Sequence, residues 1–364
     1  MAATGRPVRE GGDVHEVLHD WDGENALISY DARTGSHLFI AIHSRRLGPA
    51  AGGTRLKTYP APADALRDAT LLARAMTYKM AIAGLPMGGG KSVLAVPGEL
   101  TSDDRRHLLA RHAHNVETLG GSYRTGPDVG TTAADMDVLR EFTSYAFGRS
   151  PERGGSGSSA PDTAVGVFHG IGAAVGHVTG SPDLAGTRVY VQGCGAVGEP
   201  LVGMLVESGA TVVVSDVVPE RVAALEAKYG VTSVAPDVVG VECDVYAPCA
   251  LGQVVSAETV PQLRCRIVAG AANNVLVADE DGERLQEAGI LYAPDFVING
   301  GGAIHLAGYE SLSWTREQVE AALRGIGSTL EEVFRAADAH GISTETAAER
   351  IAEGRLAAGP QPAA

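Results

Sequence analysis

The chain has no run of ~18 consecutive apolar residues, so nothing in it reads as a membrane-spanning helix. Its opening stretch, MAATGRPVREGGDVHEV, lacks the apolar core of a signal peptide. Only four cysteines are present, Cys194, Cys243, Cys249 and Cys265, with no CxxC pair and no zinc-ligand spacing. A disulfide framework and a metal site are therefore not expected, and the thiols read as reduced and largely buried. Positive charge is scarce as well: 29 Lys and Arg stand against 44 Asp and Glu, for a formal net charge of −15. Neither a nucleic-acid backbone nor an anionic membrane suits such a surface as main partner. Together these absences lead us to expect a cytoplasmic protein.

What the chain does have is enough apolar residue to build a core. Of its 364 residues 45% are hydrophobic and 20% charged, and the length favours two domains. The first ~20 residues and the tail AAGPQPAA are expected to fray. NALISYDARTGSHLFIAIHS (25–44) reads as two strands joined at Thr34-Gly35. Over 63–83, Leu66, Ala69, Leu72, Ala73, Met76 and Met80 recur at helical steps, with Lys79 beside that stripe. The Ser/Gly-rich passage SPERGGSGSSA (150–160) marks a boundary between a domain over 1–150 and another over 151–324. Beyond it, after a helix near 163–179, short β-rich runs alternate with helical segments, which indicates a parallel, doubly wound sheet. A last helix over 315–341 leads into a helical end, about 325–364, expected to return to the first domain.

Within that alternation, VYVQGCGAVGEPLVGMLVESGATVVVSDV places Gly193-x-Gly195-x-x-Gly198 between an apolar strand and an amphipathic helix. The first glycine makes the turn, the second admits a pyrophosphate and the third lets helix and strand pack. The helix N-terminus adds its partial positive charge. Asp216 closes the next strand, where an acid bonds the adenosine ribose hydroxyls and repels a 2′-phosphate. NAD rather than NADP is thus the expected cofactor; a methyltransferase-type or non-binding relative of this motif is the alternative.

GLPMGGGKSV (84–93) sets three glycines directly before Lys91 but lacks the GxxxxGK[ST] spacing of a phosphate loop. A lysine in an apolar cleft near the nicotinamide fits better. Desolvation and a neighbouring Lys79 would lower its pKa from ~10.4 towards ~7–8, the range useful for acid–base chemistry. Asp128, in a Gly-Pro-Asp turn ahead of a helix starting near Thr132, is the candidate carboxylate; by itself it also suits a turn or cap.

These residues stand in blocks that resemble the Glu/Leu/Phe/Val dehydrogenase family: GPAAGGTR (48–55), MTYKMAIAGLPMGGGKSV (76–93), TGPDVGTTAADMD (125–137), GAVG (195–198), GAANNVL (270–276) and ILYAPDFVINGGGAIHL (290–306). The resemblance runs in order from about Trp21 to about Gly341. It is most similar to the phenylalanine branch through WDGE, LPMGGGKSV, FGRSPERGGSGSSA and YAPCA. The resemblance implies an α/β protein of two domains with the active site in the cleft between them. One is an N-terminal substrate-binding and oligomerising domain, the other a Rossmann NAD domain. It implies oxidative deamination of an L-amino acid to a 2-oxo acid and ammonium by a homo-oligomer. Lys91 would be the catalytic lysine and Asp128 the proton shuttle. Lys79 would take the α-carboxylate, with Gly53 and Asn273 or Asn274. Ser159 and Thr163 would lie against the nicotinamide, with one of the two asparagines, Asn273 or Asn274, at its carboxamide. Gly193, Gly195, Ala196, Val197, Gly198, Asp216, Cys249 and Ala250 would line the remaining dinucleotide site.

Ala51 stands where glutamate-specific members carry a lysine for the side-chain carboxylate, so an apolar substrate is expected. Gly300 and Ala307 depart from the usual pocket wall and read as loosening it, which favours phenylalanine. Leucine, valine or another specialised amino acid is the alternative, since a methylene is worth only ~1–3 kcal/mol of discrimination. His305 reads either as a polar group in that wall or as a packed histidine. A non-catalytic NAD- or amino-acid-binding regulator would keep the glycine fingerprint but could dispense with Lys91 or Asp128. A hydroxy-acid dehydrogenase would need a His/carboxylate pair with an arginine, a set not evident here.

Overall fold

The computed structural model describes residues 14–19, 21–236 and 238–359. They cluster into two compact units that divide at Ser158/Ser159, against the 150/151 suggested by composition. The first unit also takes in Tyr309–Ser313 and the described residues from Ala352 on; the second comprises Ser159–Gly308 and Trp314–Ile351. Of the termini expected to fray, 1–13 and 360–364 lie outside the described residues. Residues Val14–His19 instead form helix α1, because Val17 is buried against Phe39, Leu66 and Val93.

The first unit is built on a five-stranded mixed sheet. Its strands are β1 (Asn25–Asp31), β2 (Ser36–Ser44), β3 (Ala50–Lys57), β4 (Gly88–Ala95) and β5 (Tyr123–Pro127), in the order β1-β2-β4-β3-β5. β1, β2 and β4 pair antiparallel, while β3 runs parallel to both β4 and β5. Strand side chains alternate between faces, and the two cores follow that alternation. Phe39, Ala41, Val93 and Ala95 pack on Leu66, Ala69 and Ala73 of α2 (Pro62–Ile82). Leu38 and Leu94 pack on Leu108 and Leu109 of α3 (Ser102–Thr118) and Met136 and Leu139 of α4 (Ala133–Arg140).

The glycine run before Lys91 is the N-terminal end of buried strand β4, and its purpose is close packing on both faces. A Cβ at Gly89 would sit 2.0 Å from the Thr77 backbone nitrogen on α2. On the other face, one at Gly90 would sit 2.8 Å from the Tyr123 ring. None of Gly88, Gly89 and Gly90 has positive φ, so steric room rather than backbone freedom selects glycine here.

The second unit opens with α5 (Ala160–Thr179) and carries a six-stranded parallel sheet. In chain order its elements are β6 (Arg188–Gln192), α6 (Gly198–Glu207), β7 (Thr211–Ser215), α7 (Pro219–Tyr229), β8 (Thr232–Ser233), β9 (Val245–Pro248), β10 (Ile267–Val268), α8 (Glu280–Glu287) and β11 (Leu291–Tyr292). The spatial order β8-β7-β6-β9-β10-β11 is that of a doubly wound Rossmann sheet, whose strand order reverses beside β6. α9 (Asp295–Ile298), α10 (Gly301–Leu306), a π-turn at Ala307–Ser311, α11 (Arg316–His340) and α12 (Thr344–Ala358) complete the chain.

Residues 325–351 were expected with the first domain, yet they cluster with the second unit. The reason is that α11 lays its apolar stripe on glycines of α5. Cβ atoms at Gly166 and Gly170 would sit 2.6 Å from Ile326 Cδ1 and 2.9 Å from Leu330 Cδ1. From Ala352 on the chain belongs to the first unit, where Arg355 donates to the Ala81 and Ile82 carbonyls and caps α2.

Gly89→Ala is expected to destabilise the protein by at least ~2 kcal/mol, since the obstacle is helix backbone rather than a movable side chain. Gly98→Ala, with nothing within 4 Å of the new methyl, is expected to stay within ~0.5 kcal/mol. Denaturant unfolding of the two variants beside the parent checks both values.

Candidate active site and dinucleotide site

Alternation along β4 puts Lys91 on the face of Gly89, Val93 and Ala95, the face that α2 covers. In the parallel register of β3 with β4, Arg55 lies beside Val93, so Gly53 and Arg55 share that face. Lys91 is only 5% exposed, and its Nζ lies 3.0 Å from Asp128 Oδ2. The same oxygen accepts a 2.9 Å hydrogen bond from Arg55 Nε, while Arg55 Nη1 reaches Asp68 Oδ2 at 3.0 Å. The Tyr59 hydroxyl also donates to Asp68. Two cations and two carboxylates thus form one linked, largely buried set.

Asp128 is held by the local chain. It follows β5 directly, its N–H donates to Thr131 Oγ1, and Thr132 caps α4 in a reciprocal box with Asp135. It can stand beside β3 only because residue 53 is glycine: a Cβ there would lie 2.8 Å from Asp128 Cβ. Lys79 is half-buried on α2, one turn beyond Met76, whose Cγ lies 3.4 Å from where a Cβ of Gly52 would be. That turn of α2 faces β3, so Lys79 shares a side of the sheet with Lys91.

Burial is the main cause that holds the Lys91 amine below the ordinary lysine range; the Asp128 carboxylate pulls its pKa back up, and Arg55 pushes it down further. Burial alone would raise Asp128, but the Lys91 and Arg55 cations hold its carboxyl below the ordinary range. The pair therefore rests as an ammonium facing a carboxylate, with the ammonium easier to deprotonate than a solvated one.

In the second unit each glycine of the fingerprint has a distinct surrounding. Gly193 has φ +108°, and a Cβ on it would lie 2.8 Å from the Ala250 nitrogen. One on Gly198, the first residue of α6, would lie 1.9 Å from the Gly193 carbonyl oxygen. At Gly195 the position is open among the described residues, save for Arg221 Nη1 at 3.9 Å. Ala196 and Val197 lead from there into α6, Ala196 exposed and Val197 half-buried. Asp216 follows β7, its Oδ2 accepting the Cys194 N–H at 2.7 Å and its Oδ1 the Val218 N–H at 2.8 Å. Cys249 and Ala250 follow β9, the Cys249 N–H donating to the Gln192 carbonyl at 2.7 Å. A turn that crowds at Gly193 and Gly198 yet stays open at Gly195, with a carboxylate beyond the second strand, fits a dinucleotide.

Ser159 precedes α5 and accepts a 2.9 Å hydrogen bond from Thr163 Oγ1 on its carbonyl. α10 approaches both: a Cβ at Gly302 would lie 3.2 Å from Thr163 Oγ1 and 3.5 Å from Ser159 Oγ. His305 of α10 is buried with Nδ1 2.7 Å from Asp162 Oδ2, so it is a packed, paired histidine. Asn299 Nδ2 donates to Asn273 Oδ1 at 2.8 Å, and Asn274 has φ +52°. Ala307 is buried where the π-turn begins. The four cysteine thiols are pushed up by burial, Cys194 and Cys265 to about 11 and Cys243 and Cys249 to about 12. None is a thiolate nucleophile near neutral pH.

Each unit therefore brings expected residues together: Lys91, Asp128 and Gly53 in the first, with Lys79 on the helix that covers their face, and the glycine turn, Asp216, Cys249 and Ala250 in the second. The sequence reading missed Arg55, Asp68, Tyr59, Asp162 and Arg221. For Arg55 a signal was available, since it stands two residues from Gly53 on one strand.

The model described as the Glu/Leu/Phe/Val dehydrogenase dimerisation domain matches residues 30–145, and that described as Glutamate/Leucine/Phenylalanine/Valine dehydrogenase matches 219–360. Leucine dehydrogenase of Geobacillus stearothermophilus is 42% identical, over 94% of this chain and 93% of that protein. Valine dehydrogenase of Streptomyces virginiae is 42% identical over 95% and 98%. The crystal structure of L-tryptophan dehydrogenase from Nostoc punctiforme superposes with a TM-score of 0.84 at 36% identity, covering 94% of this chain and 98% of that one. The chain belongs to the Glu/Leu/Phe/Val dehydrogenase family. It is an NAD-dependent amino-acid dehydrogenase.

Replacing Asp128 by Asn removes the charge that favours the Lys91 proton, so the lysine should titrate at lower pH than in the parent. Site-resolved lysine NMR checks the sign; an unchanged or higher pKa would mean that the two are not coupled.

Proposed function

We propose that this dehydrogenase deaminates a branched-chain aliphatic L-amino acid, leucine or valine, with Lys91 and Asp128 as its acid–base pair. The observation that carries the reading is the buried Lys91 amine held 3.0 Å from Asp128. The overall change is amino acid, NAD⁺ and water to 2-oxo acid, ammonium, NADH and a proton. When bound, the nicotinamide accepts hydride from the substrate α-carbon. Lys79 pairs with the α-carboxylate and fixes the α-carbon in place, with Gly53 beside it. Asp128 takes the proton from the substrate amine. Lys91, once neutral, removes a proton from the water that attacks the imine carbon, and its ammonium then stabilises charge on the carbinolamine. Asp128 returns a proton to nitrogen as ammonia leaves. Arg55 keeps Asp128 ionised and oriented between these transfers. In the second unit Gly193, Gly195, Ala196, Val197, Gly198, Asp216, Cys249 and Ala250 would hold the dinucleotide, with Ser159, Thr163 and Asn273 at its nicotinamide end.

An apolar substrate side chain is supported by Ala51, buried in β3 where a cation would be needed for glutamate. Arg124, its register neighbour on β5, is engaged with the Ser311 hydroxyl and the Phe147 ring. The expectation of phenylalanine gives way to leucine or valine because leucine dehydrogenases at 39–42% identity and valine dehydrogenases at 41–42% match nearly the full chain. An aromatic substrate is the second reading, favoured by the tryptophan dehydrogenase at TM-score 0.84 and by Gly300. The match of the first unit to a dimerisation-domain model supports a homo-oligomer. No helix among the described residues is long and apolar enough to cross a membrane.

Initial rates of NADH formation with leucine, valine, phenylalanine, tryptophan and glutamate test the substrate. Leucine or valine should have the highest kcat/KM and glutamate the lowest; a tenfold lead for phenylalanine or tryptophan would select the aromatic reading. Lys91→Ala should lower kcat by ~10²–10⁴, the size of a lost acid–base group, with cofactor affinity retained.

A further inference from the structure

We propose that Asp68 is a positioning residue: it restrains Arg55 and so keeps one oxygen of Asp128 free for the proton of the substrate amine. The inference rests on the acid–base roles proposed above for Lys91 and Asp128, and it concerns a side chain outside that pair. Both cations bond the same oxygen of Asp128. Its Oδ2 lies 3.0 Å from Lys91 Nζ and accepts Arg55 Nε at 2.9 Å. Among the described residues Oδ1 accepts no hydrogen bond. An arginine beside a carboxylate frequently grips both oxygens with two parallel N–H bonds, because its planar fork matches their spacing. Here that fork is half-used: Nε bonds Asp128, while Nη2 makes no hydrogen bond among the described residues.

Asp68 supplies the reason. Its two oxygens accept the far corner of the guanidinium, Nη1, at 3.2 and 3.0 Å. That second attachment keeps the fork from turning square onto Asp128. Asp68 is itself fixed, since it stands on helix α2 and its Oδ2 accepts the Tyr59 hydroxyl from the loop after β3. Arg55 and Asp128 are 19% and 22% exposed, so water competes little for these bonds. Without Asp68, Arg55 Nε and Nη2 would close on both oxygens of Asp128. Oδ1 would then be covered, although Oδ2 would still face Lys91. With Asp68 in place, Oδ1 stays open to the substrate ammonium. One N–H bond of that ammonium breaks, an O–H bond forms at Oδ1, and the electron pair remains on the amine nitrogen. Lys91 and Arg55 thus hold the carboxylate by one oxygen, and Asp68 draws the rest of Arg55 away from the other.

Steady-state kinetics of the full-length protein test this, with the amino acid that the parent turns over fastest. The variants are Asp68→Ala, Asp68→Asn, Arg55→Lys and the double variant Asp68→Ala/Arg55→Lys. Asp68→Ala should lower kcat about ten- to a hundredfold, less than the removal of an acid–base group, with KM for NAD⁺ changed less than about twofold. Asp68→Asn keeps a carbonyl oxygen for Nη1 and should stay within about threefold of the parent. A lysine at position 55 has no fork to close, so adding Asp68→Ala to Arg55→Lys should cost less than about threefold more. An alanine variant within about twofold of the parent, an asparagine variant as slow as the alanine one, or an equal loss in both backgrounds would overturn the assignment. Parent-like turnover by Lys91→Ala would instead overturn the acid–base reading on which it rests.

Discussion

An ammonium as deeply buried as that of Lys91 cannot stand alone, because removing an ion from water costs several kcal/mol that only a matched partner recovers. The partner is Asp128, and the need to bring it within 3.0 Å of Nζ explains much of the first unit. Asp128 comes from the end of β5, two strands away from β4, so it must cross β3. Gly53 is the point on β3 that lets it through. Arg55, two residues on, supplies a second cation to the same oxygen, and Asp68 balances Arg55. Removing Asp128 would leave the Lys91 ammonium buried without its partner, a larger loss than the pair's own net contribution, whereas without Lys91 the carboxylate would keep Arg55.

The same constraint gives the glycine run before Lys91 its meaning. A short, stiff strand holds the lysine at a fixed height only if the helix above and the strands beside it pack without a gap. At Gly89 the backbone of α2 occupies the space of a side chain, and at Gly90 the Tyr123 ring does so. The glycines of the second unit divide the labour differently. Gly193 and Gly198 admit neighbouring backbone, whereas Gly195 leaves an opening that a ligand phosphate can use. Residues of one type thus serve as packing surfaces in one unit and partly as a binding surface in the other.

Much of this was legible beforehand. The strand pair at 25–44, the helix over 63–83, the Rossmann alternation and the fingerprint with Asp216 all rest on local periodicity and turn chemistry, which a sequence carries openly. For the pairing of Lys91 with Asp128 the residues offered only a candidate that suited a turn or cap equally well, and the family resemblance chose between them, since nothing in their separation along the chain brings them together. Arg55 passed unremarked because its role depends on the parallel register of β3 with β4. Arg221 passed because an exposed arginine early in a helix is ordinary until its distance from Asp216 is known. Residues 325–351 were assigned to the first domain because an amphipathic pattern shows that a helix buries one face but not which partner receives it; the glycines of α5 decided that.

The sequence by itself determined the family and the glycine fingerprint with its strand-end acid, because these depend on residue type at short spacing. Tertiary structure alone decided the four-membered charge set around Lys91, the packing role of Gly88–Gly90, the pairing of His305 with Asp162 and the position of Arg221 between Gly195 and Asp216. Each of those depends on strand register or helix docking, and both are set by long-range packing that no local stretch of sequence encodes.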